Sequence, residues 1–232
     1  MAASEVAYIE VGGRSIAFRL RTGSGPTIVF LPGYASDMEG AKAVALDAFA
    51  ERRGIAMLRL DYSGTGSSAG RFEDGTLALW LEEALAAVDA LTDGPLLLVG
   101  SSMGGWIALH LGLLRPDRVT ALVGIAAAPD FTAWGFTDGD AAEQEGVSRH
   151  FWESGQQLRL LEAEIAIDCP VRLVHGEHDQ DVPTDIAFRL MRRLRSADVQ
   201  LTLLKGGGHR LSEPHEIEAI LRTVAALLEP AI

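Results

Sequence analysis

Three residues, in one order along the chain, could carry out nucleophilic acyl chemistry: Ser102, Asp179 and His209. A serine hydroxyl is a poor nucleophile at neutral pH. It needs a base to take its proton, and the base needs an acid to orient it. The serine lies in Gly100-Ser101-Ser102-Met103-Gly104, straight after the apolar run Leu96-Leu97-Leu98-Val99 and ahead of a helix-like stretch. Where a strand turns sharply into a helix around such a serine, the residues two before and two after it come close together. Only very small side chains fit there. This decides between the two adjacent serines. Ser102 is flanked at that spacing by Gly100 and Gly104, whereas Ser101 would be flanked by Val99 and Met103. The pattern is weak alone in a chain with 25 glycines among 232 residues; the strand before and the helix after it give it weight. The plain alternative is a glycine-rich helix start packed on a sheet.

The base follows from position. In a strand–turn–helix scaffold of this kind the order is nucleophile, acid, base, and the last two sit on loops after later strands. His110 lies inside the helix after the serine, His150 in an irregular segment, and His215 in the first turn of the last helix. His175 ends a strand and His178 follows it closely. His209 alone lies in a glycine-rich loop, "KGGGHRLSEP", between the last strand and the last helix. The acid comes from "LVHGEHDQDVP", where Asp179 fits best and Asp181 is the alternative. The cluster His175, Glu177, His178 and Asp179 could also be read as metal ligands, but it lacks a regular helical spacing to converge them. The serine reading needs neither metal nor cofactor, and none is expected. The oxyanion should be met by backbone N–H groups of Met103 and of Tyr34, which follows Gly33 in the loop after "TIVFLPG".

These residues need a scaffold, and the pattern of the chain supplies one. "VAYIEVGGRSIAFRL" reads as an antiparallel hairpin around Gly12-Gly13. Buried strands follow at "TIVFLPG" and "IAMLRLDYSG", and further strands at "PLLLVGS", "VTALVGIAAA", "VRLVHG" and "VQLTLLKG". Between them come helical periods: 37–54 with Asp37 as N-cap and Gly54 as stop, then 76–94, 103–115, 185–195 and 216–229. The alternation predicts a mostly parallel central sheet with helices on both faces. About 130–168 breaks the rhythm: "FTAWGFTDGD" is loop-like and "AEQEGVSRHFWESGQQLRLLEAEI" broadly helical. One domain with one cap-like insertion is expected. Within the insertion, Trp134 and Trp152 are the tryptophans expected to meet substrate, and Trp80 and Trp106 those expected in the core. "DYSGTGSSAG" misses the G-x-G-x-x-G spacing of a dinucleotide loop and reads as a tight turn, with Asp61 bonding loop amides.

Composition narrows the partners. A net charge of −12 and no basic stripe argue against nucleic acid and anionic membranes. No run approaches the ~18 apolar residues of a membrane span. The single cysteine, Cys169, excludes an internal disulfide and reads as buried filler. The opening "MAASEVAYIEVGGRSIAF" has neither a signal-peptide nor a transit-peptide pattern, so a cytoplasmic address is expected.

Taken together, these motifs resemble the α/β-hydrolase fold superfamily over nearly the whole chain. "PGYASDMEGAKA", "RLDYSGTGSSAG", "DGPLLLVGSSMGGWIALH" and "CPVRLVHGEHDQDVP" are further similar to the palmitoyl-protein thioesterases of the α/β-hydrolase-domain group, which also act on acyl glucuronides. The resemblance implies a serine hydrolase of carboxylic esters or acyl thioesters, with small-molecule or acylated-protein substrates. Its catalytic positions match Ser102, Asp179 and His209 here. Against that group, no mitochondrial presequence is expected from the opening residues, and the insertion reads as shorter and differently composed. A peptidase or carbon–carbon bond hydrolase on the same residues, or a non-catalytic ligand receptor of the same fold, are the competing expectations.

Overall fold

A computed structural model of the chain describes residues 5–229. The elements in chain order are β1 (Ala7–Val11), β2 (Arg14–Arg21), β3 (Ser24–Leu31), α1 (Ala41–Arg53), β4 (Ile55–Leu60), α2 (Leu77–Leu91), β5 (Leu96–Ser101), α3 (Met103–Leu114) and β6 (Val119–Ile125). Three short helices come next: α4 (Phe131–Trp134), α5 (Gly139–Gln144) and α6 (Arg149–Gln157). The chain closes with β7 (Val171–Gly176), α7 (Thr184–Arg193), β8 (Val199–Leu204) and α8 (Pro214–Leu228). The eight strands form one sheet in the order β1-β2-β4-β3-β5-β6-β7-β8. The pairs β1/β2 and β2/β4 are antiparallel and all others parallel. This is the mostly parallel sheet with an antiparallel opening that the sequence pattern predicts.

The hairpin turns where its glycines allow it. Val11 pairs with Arg14, and the two residues between, Gly12 and Gly13, have φ of 55° and 78°. Both values suit a two-residue turn and disfavour residues with a Cβ. In the central strands, side chains alternate between two apolar layers. Val29 and Leu31 of β3 and Leu96 and Leu98 of β5 face the layer under α2, α3 and α7. Ile28, Phe30, Leu97 and Val99 face the layer under α1 and α8. Both faces are covered, so these strands read as unbroken apolar runs. Helix α3 is buried from Met103 through Leu109, which explains why its sequence is apolar on nearly every side.

Local details differ from the sequence reading. Helix α1 starts after Gly40; Asp37 instead accepts the Glu39 N–H at 2.8 Å in its own turn. An acidic residue competes for nearby amides wherever the chain bends, and here the bend precedes the helix. Gly54 does stop α1, with φ 64°. Strand β3 begins at Ser24, because Ser24 N–H reaches the Gly54 carbonyl at 2.9 Å. Between β6 and β7 the broad helix divides into α5 and α6 at Gly146, which has φ 83°. The stretch expected to be loop contains the helical turn α4. From Leu158 onward the segment is not helical. The buried Asp130 carboxylate holds it by accepting the N–H groups of Leu160 (2.8 Å) and Leu161 (2.7 Å). No helix among the described residues is long and apolar enough to cross a membrane.

Candidate active site

Ser102 sits between β5 and α3 with φ 54° and ψ −121°. A non-glycine residue in that region is strained, and the surroundings hold it there. Its N–H donates to the Ile125 carbonyl (2.9 Å), and its carbonyl accepts from Gly105 (2.9 Å) and Ala128 (3.1 Å). The two flanking glycines are required by contact. A Cβ on Gly100 would collide with the Gly104 carbonyl, and a Cβ on Gly104 with the carbonyl of Leu31. The close approach expected at Gly100 is present. At Gly104 the obstacle is the end of β3, a neighbour that linear sequence does not reveal.

The loops after β7 and β8 deliver the other two groups. His209 Nε2 lies 3.0 Å from Ser102 Oγ, and His209 Nδ1 lies 2.9 Å from Asp179 Oδ2. Asp179 Oδ1 accepts the N–H groups of Asp181 (3.0 Å) and Val182 (2.8 Å). Burial alone would raise the Asp179 carboxyl. The hydrogen bonds from His209 and Val182, with the charge of His209 and His175, outweigh it and hold the group below the ordinary carboxylate range. The acid expected as the alternative, Asp181, is exposed and gives this cluster its backbone N–H. The three glycines before His209 play different parts. Gly206 has φ 73°, Gly207 lies against Leu211 and Glu216, and Gly208 has open space where a Cβ would be.

The two expected oxyanion donors flank the serine. Met103 opens α3, so its N–H is one of the orphan donors of a helix start. A Cβ on Gly33 would come 3.2 Å from Ser102 Cβ, which places the Gly33–Tyr34 turn directly against the serine. Asp61 anchors the neighbourhood of that turn. Its buried carboxylate accepts the N–H of Met38 (2.7 Å) after β3 and of Ser67 (2.8 Å) after β4. Burial raises its carboxyl, and those two bonds partly offset the rise. Five non-glycine residues among those described have positive φ: Ala35, Ser102, Ala126, Asp130 and Leu211. All five follow the C-terminal ends of parallel strands, around the same site.

Two clefts open on Ser102 and His209. One, of about 400 Å³, is polar: Ser36, Asp37, Lys42, Arg210 and Ser212 line it. The other, of about 450 Å³, is walled by Phe131, Trp134 and Phe136, with Gln180 and Asp181 at its rim. Tyr34 lines both. Its ring meets those of Phe72 and Phe151 edge-on at 5.0 and 4.9 Å, and its hydroxyl donates to the Gly146 carbonyl at 3.2 Å. Trp134 therefore reaches a cleft, whereas Trp152 does not line either and packs beside Gly139. Trp80 and Trp106 are fully buried. Lys42, Arg210 and Phe136 escaped sequence reasoning because nothing in their local patterns marks a cleft wall.

Of the four residues weighed as a metal cluster, Glu177 turns to the Gly206 N–H (3.1 Å) and His178 is exposed. A different trio, Asp179, Asp181 and His209, brings donor atoms within 4.8 Å of one another. A cation there would compete with the His209 hydrogen bonds to Asp179 and Ser102. Cys169 is half-buried, and burial raises its thiol, so it packs as filler rather than as a reactive thiolate.

Residues 26–145 match the family described as alpha/beta hydrolase fold. The chain belongs to the α/β-hydrolase fold family. Within it, the chain is similar to the human mitochondrial palmitoyl-protein thioesterase ABHD10, with 36% identity over 235 residues covering 93% of this chain and 77% of that one. The structure of mouse alpha/beta hydrolase domain-containing protein 10 superposes with a TM-score of 0.90 at 34% identity, covering 97% of this chain and 98% of the mouse chain. A crystal structure of an Agrobacterium vitis protein also gives a TM-score of 0.90, at 37% identity and the same coverage of each chain.

Proposed function

We propose that the chain hydrolyses carboxylic esters or acyl thioesters by way of an acyl-enzyme on Ser102. One observation carries the reading: a continuous hydrogen-bonded line from Ser102 Oγ through His209 to Asp179, with steps of 3.0 and 2.9 Å. His209 takes the Ser102 proton as Oγ attacks the acyl carbonyl. The N–H groups of Tyr34 and Met103 receive the charge that builds on the carbonyl oxygen. His209 then gives its proton to the departing alcohol or thiol. Water enters, loses a proton to the same imidazole, and releases the acid. Asp179 stays ionised and keeps Nδ1–H turned toward it.

The two clefts divide the substrate. The aromatic one suits an apolar acyl chain, and the polar one suits the leaving group. In this reading the chain is one domain, and residues 130–168 act as a short cap whose aromatic side chains wall the acyl cleft. The names of the mitochondrial relatives favour a thioester, including one on an acylated protein. Those names do not favour the cytoplasmic address expected from the sequence. Peptide and carbon–carbon bond cleavage would use the same three residues, and a ligand receptor would use none of them chemically.

The test is a fluorophosphonate probe, followed by kcat/KM on matched esters, thioesters, acyl glucuronides and amides. Labelling lost in Ser102→Ala, with thioester or ester turnover well above amide turnover, is expected. A purified protein that neither labels nor turns over any of these substrates refutes the proposal.

A further inference from the structure

The chemistry above leaves one buried histidine without a part. His175, near the end of β7, is only 1% exposed. Its Nε2 lies 2.9 Å from the Val182 carbonyl. A carbonyl can only accept, so this nitrogen carries a hydrogen. The same N–H edge lies 3.4 Å from Asp179 Oδ2, the oxygen that also takes His209 Nδ1. Val182 is thereby tied twice: its N–H to Asp179 Oδ1 and its carbonyl to His175. The Asp179 side chain is fully shielded from solvent, so a Val182 N–H that shifts away from it is not replaced by bulk water.

We infer that His175 is a positioning residue: it keeps the Asp179 carboxylate ionised and aimed at His209. The inference rests on the serine-hydrolase reading. The groups facing Asp179 are His209 from the loop after β8, His175 from β7, and Asp181 from its own loop. Glu177 and His178 turn aside, toward Gly206 and each other. Asp181 brings the one like charge, so removing His175 leaves a single imidazole against two carboxylates. A carboxylate that loses the positive edge of a nearby N–H dipole, and the Val182 N–H that this edge holds in place, becomes more basic. The Asp179–His209 pair then takes up its inactivating proton at a higher pH.

The experiment compares wild type with His175→Phe, which keeps a ring of similar bulk but no donor, and with His175→Gln, whose amide N–H can stand in for Nε2–H. The reading is kcat, KM and the pH dependence of kcat/KM on p-nitrophenyl butyrate between about pH 4 and 8, with the melting temperature of each protein. For His175→Phe, kcat falls about tenfold or more with KM within about twofold, and the acid limb moves up by about half a unit. His175→Gln recovers most of both. A His175→Phe protein with wild-type kcat and limb overturns the inference. So does one whose kcat and melting temperature drop while the limb stays put, or a His175→Gln that rescues neither. A wild type that neither labels with the fluorophosphonate nor turns over this ester or any substrate of the panel removes the hydrolase reading and this role with it; a normal wild type beside an indifferent His175→Phe removes the role alone.

Discussion

Ser102 and His209 meet across 3.0 Å, but the two turns that bring them there are built by opposite means. The serine turn is fixed by exclusion. Gly100 and Gly104 have backbone atoms where a methyl would go, and Ser102 is held at φ 54° by buried neighbours. The histidine turn is fixed by ties. Gly207 accepts the His178 N–H at 2.8 Å, Lys42 Nζ donates to the Arg210 carbonyl, and the Asp179 loop grips Nδ1. Gly208, next to the base, touches nothing a Cβ would displace. Ser102 is thus placed by packing that cannot give. His209 is placed by polar contacts that can be remade, which suits the proton transfers proposed for its ring.

The sharpest test removes the shared endpoint. Ser102→Ala should abolish ester turnover, by about 10⁴-fold or more, with the chain still folded; stopped assays and a melting curve check both. Next, Gly104→Ala puts a methyl into the Leu31 carbonyl. It should cost about 3 kcal/mol or more, or leave the protein insoluble, as read by denaturant unfolding. A stable Gly104→Ala protein would show that the elbow yields after all. Gly176→Ala probes a packed wall of the histidine turn, since a methyl there would strike the Gly207 carbonyl. A loss of about 1–3 kcal/mol, with kcat lowered, is expected. Gly208→Ala should do least: a stability change within about 0.5 kcal/mol and activity within about threefold. If Gly208→Ala proves as damaging as Gly104→Ala, the contrast between the turns is false.

The sequence showed the scaffold best where one rule dominated. Apolar runs gave the central strands, and paired glycines gave the hairpin turn, because burial and positive φ each leave a direct mark on residue type. The order of serine, aspartate and histidine pointed to three loops that the fold brings together. What stayed hidden depends on distant neighbours. Asp37 looked like a helix cap, but the chain bends before α1 can start. Trp134 and Trp152 looked equivalent, yet Trp134 at the end of α4 lines a cleft while Trp152 on α6 packs beside Gly139. His175 has a role only because Val182 folds back over it. The positive φ of Ala35, Ala126 and Leu211 leaves no trace at all, since those residues are not the ones that such a backbone selects.

Tyr34 joins what would otherwise be separate pieces. It follows Gly33, which abuts Ser102; its ring sits among Phe72, Trp80, Phe131 and Phe151, and its hydroxyl ends on Gly146, beyond α5. A guest that wedged those rings apart would bear on the residue that follows Gly33, the neighbour of Ser102. In the proposed reaction, filling the apolar half of the site would then be felt at the serine through a single side chain.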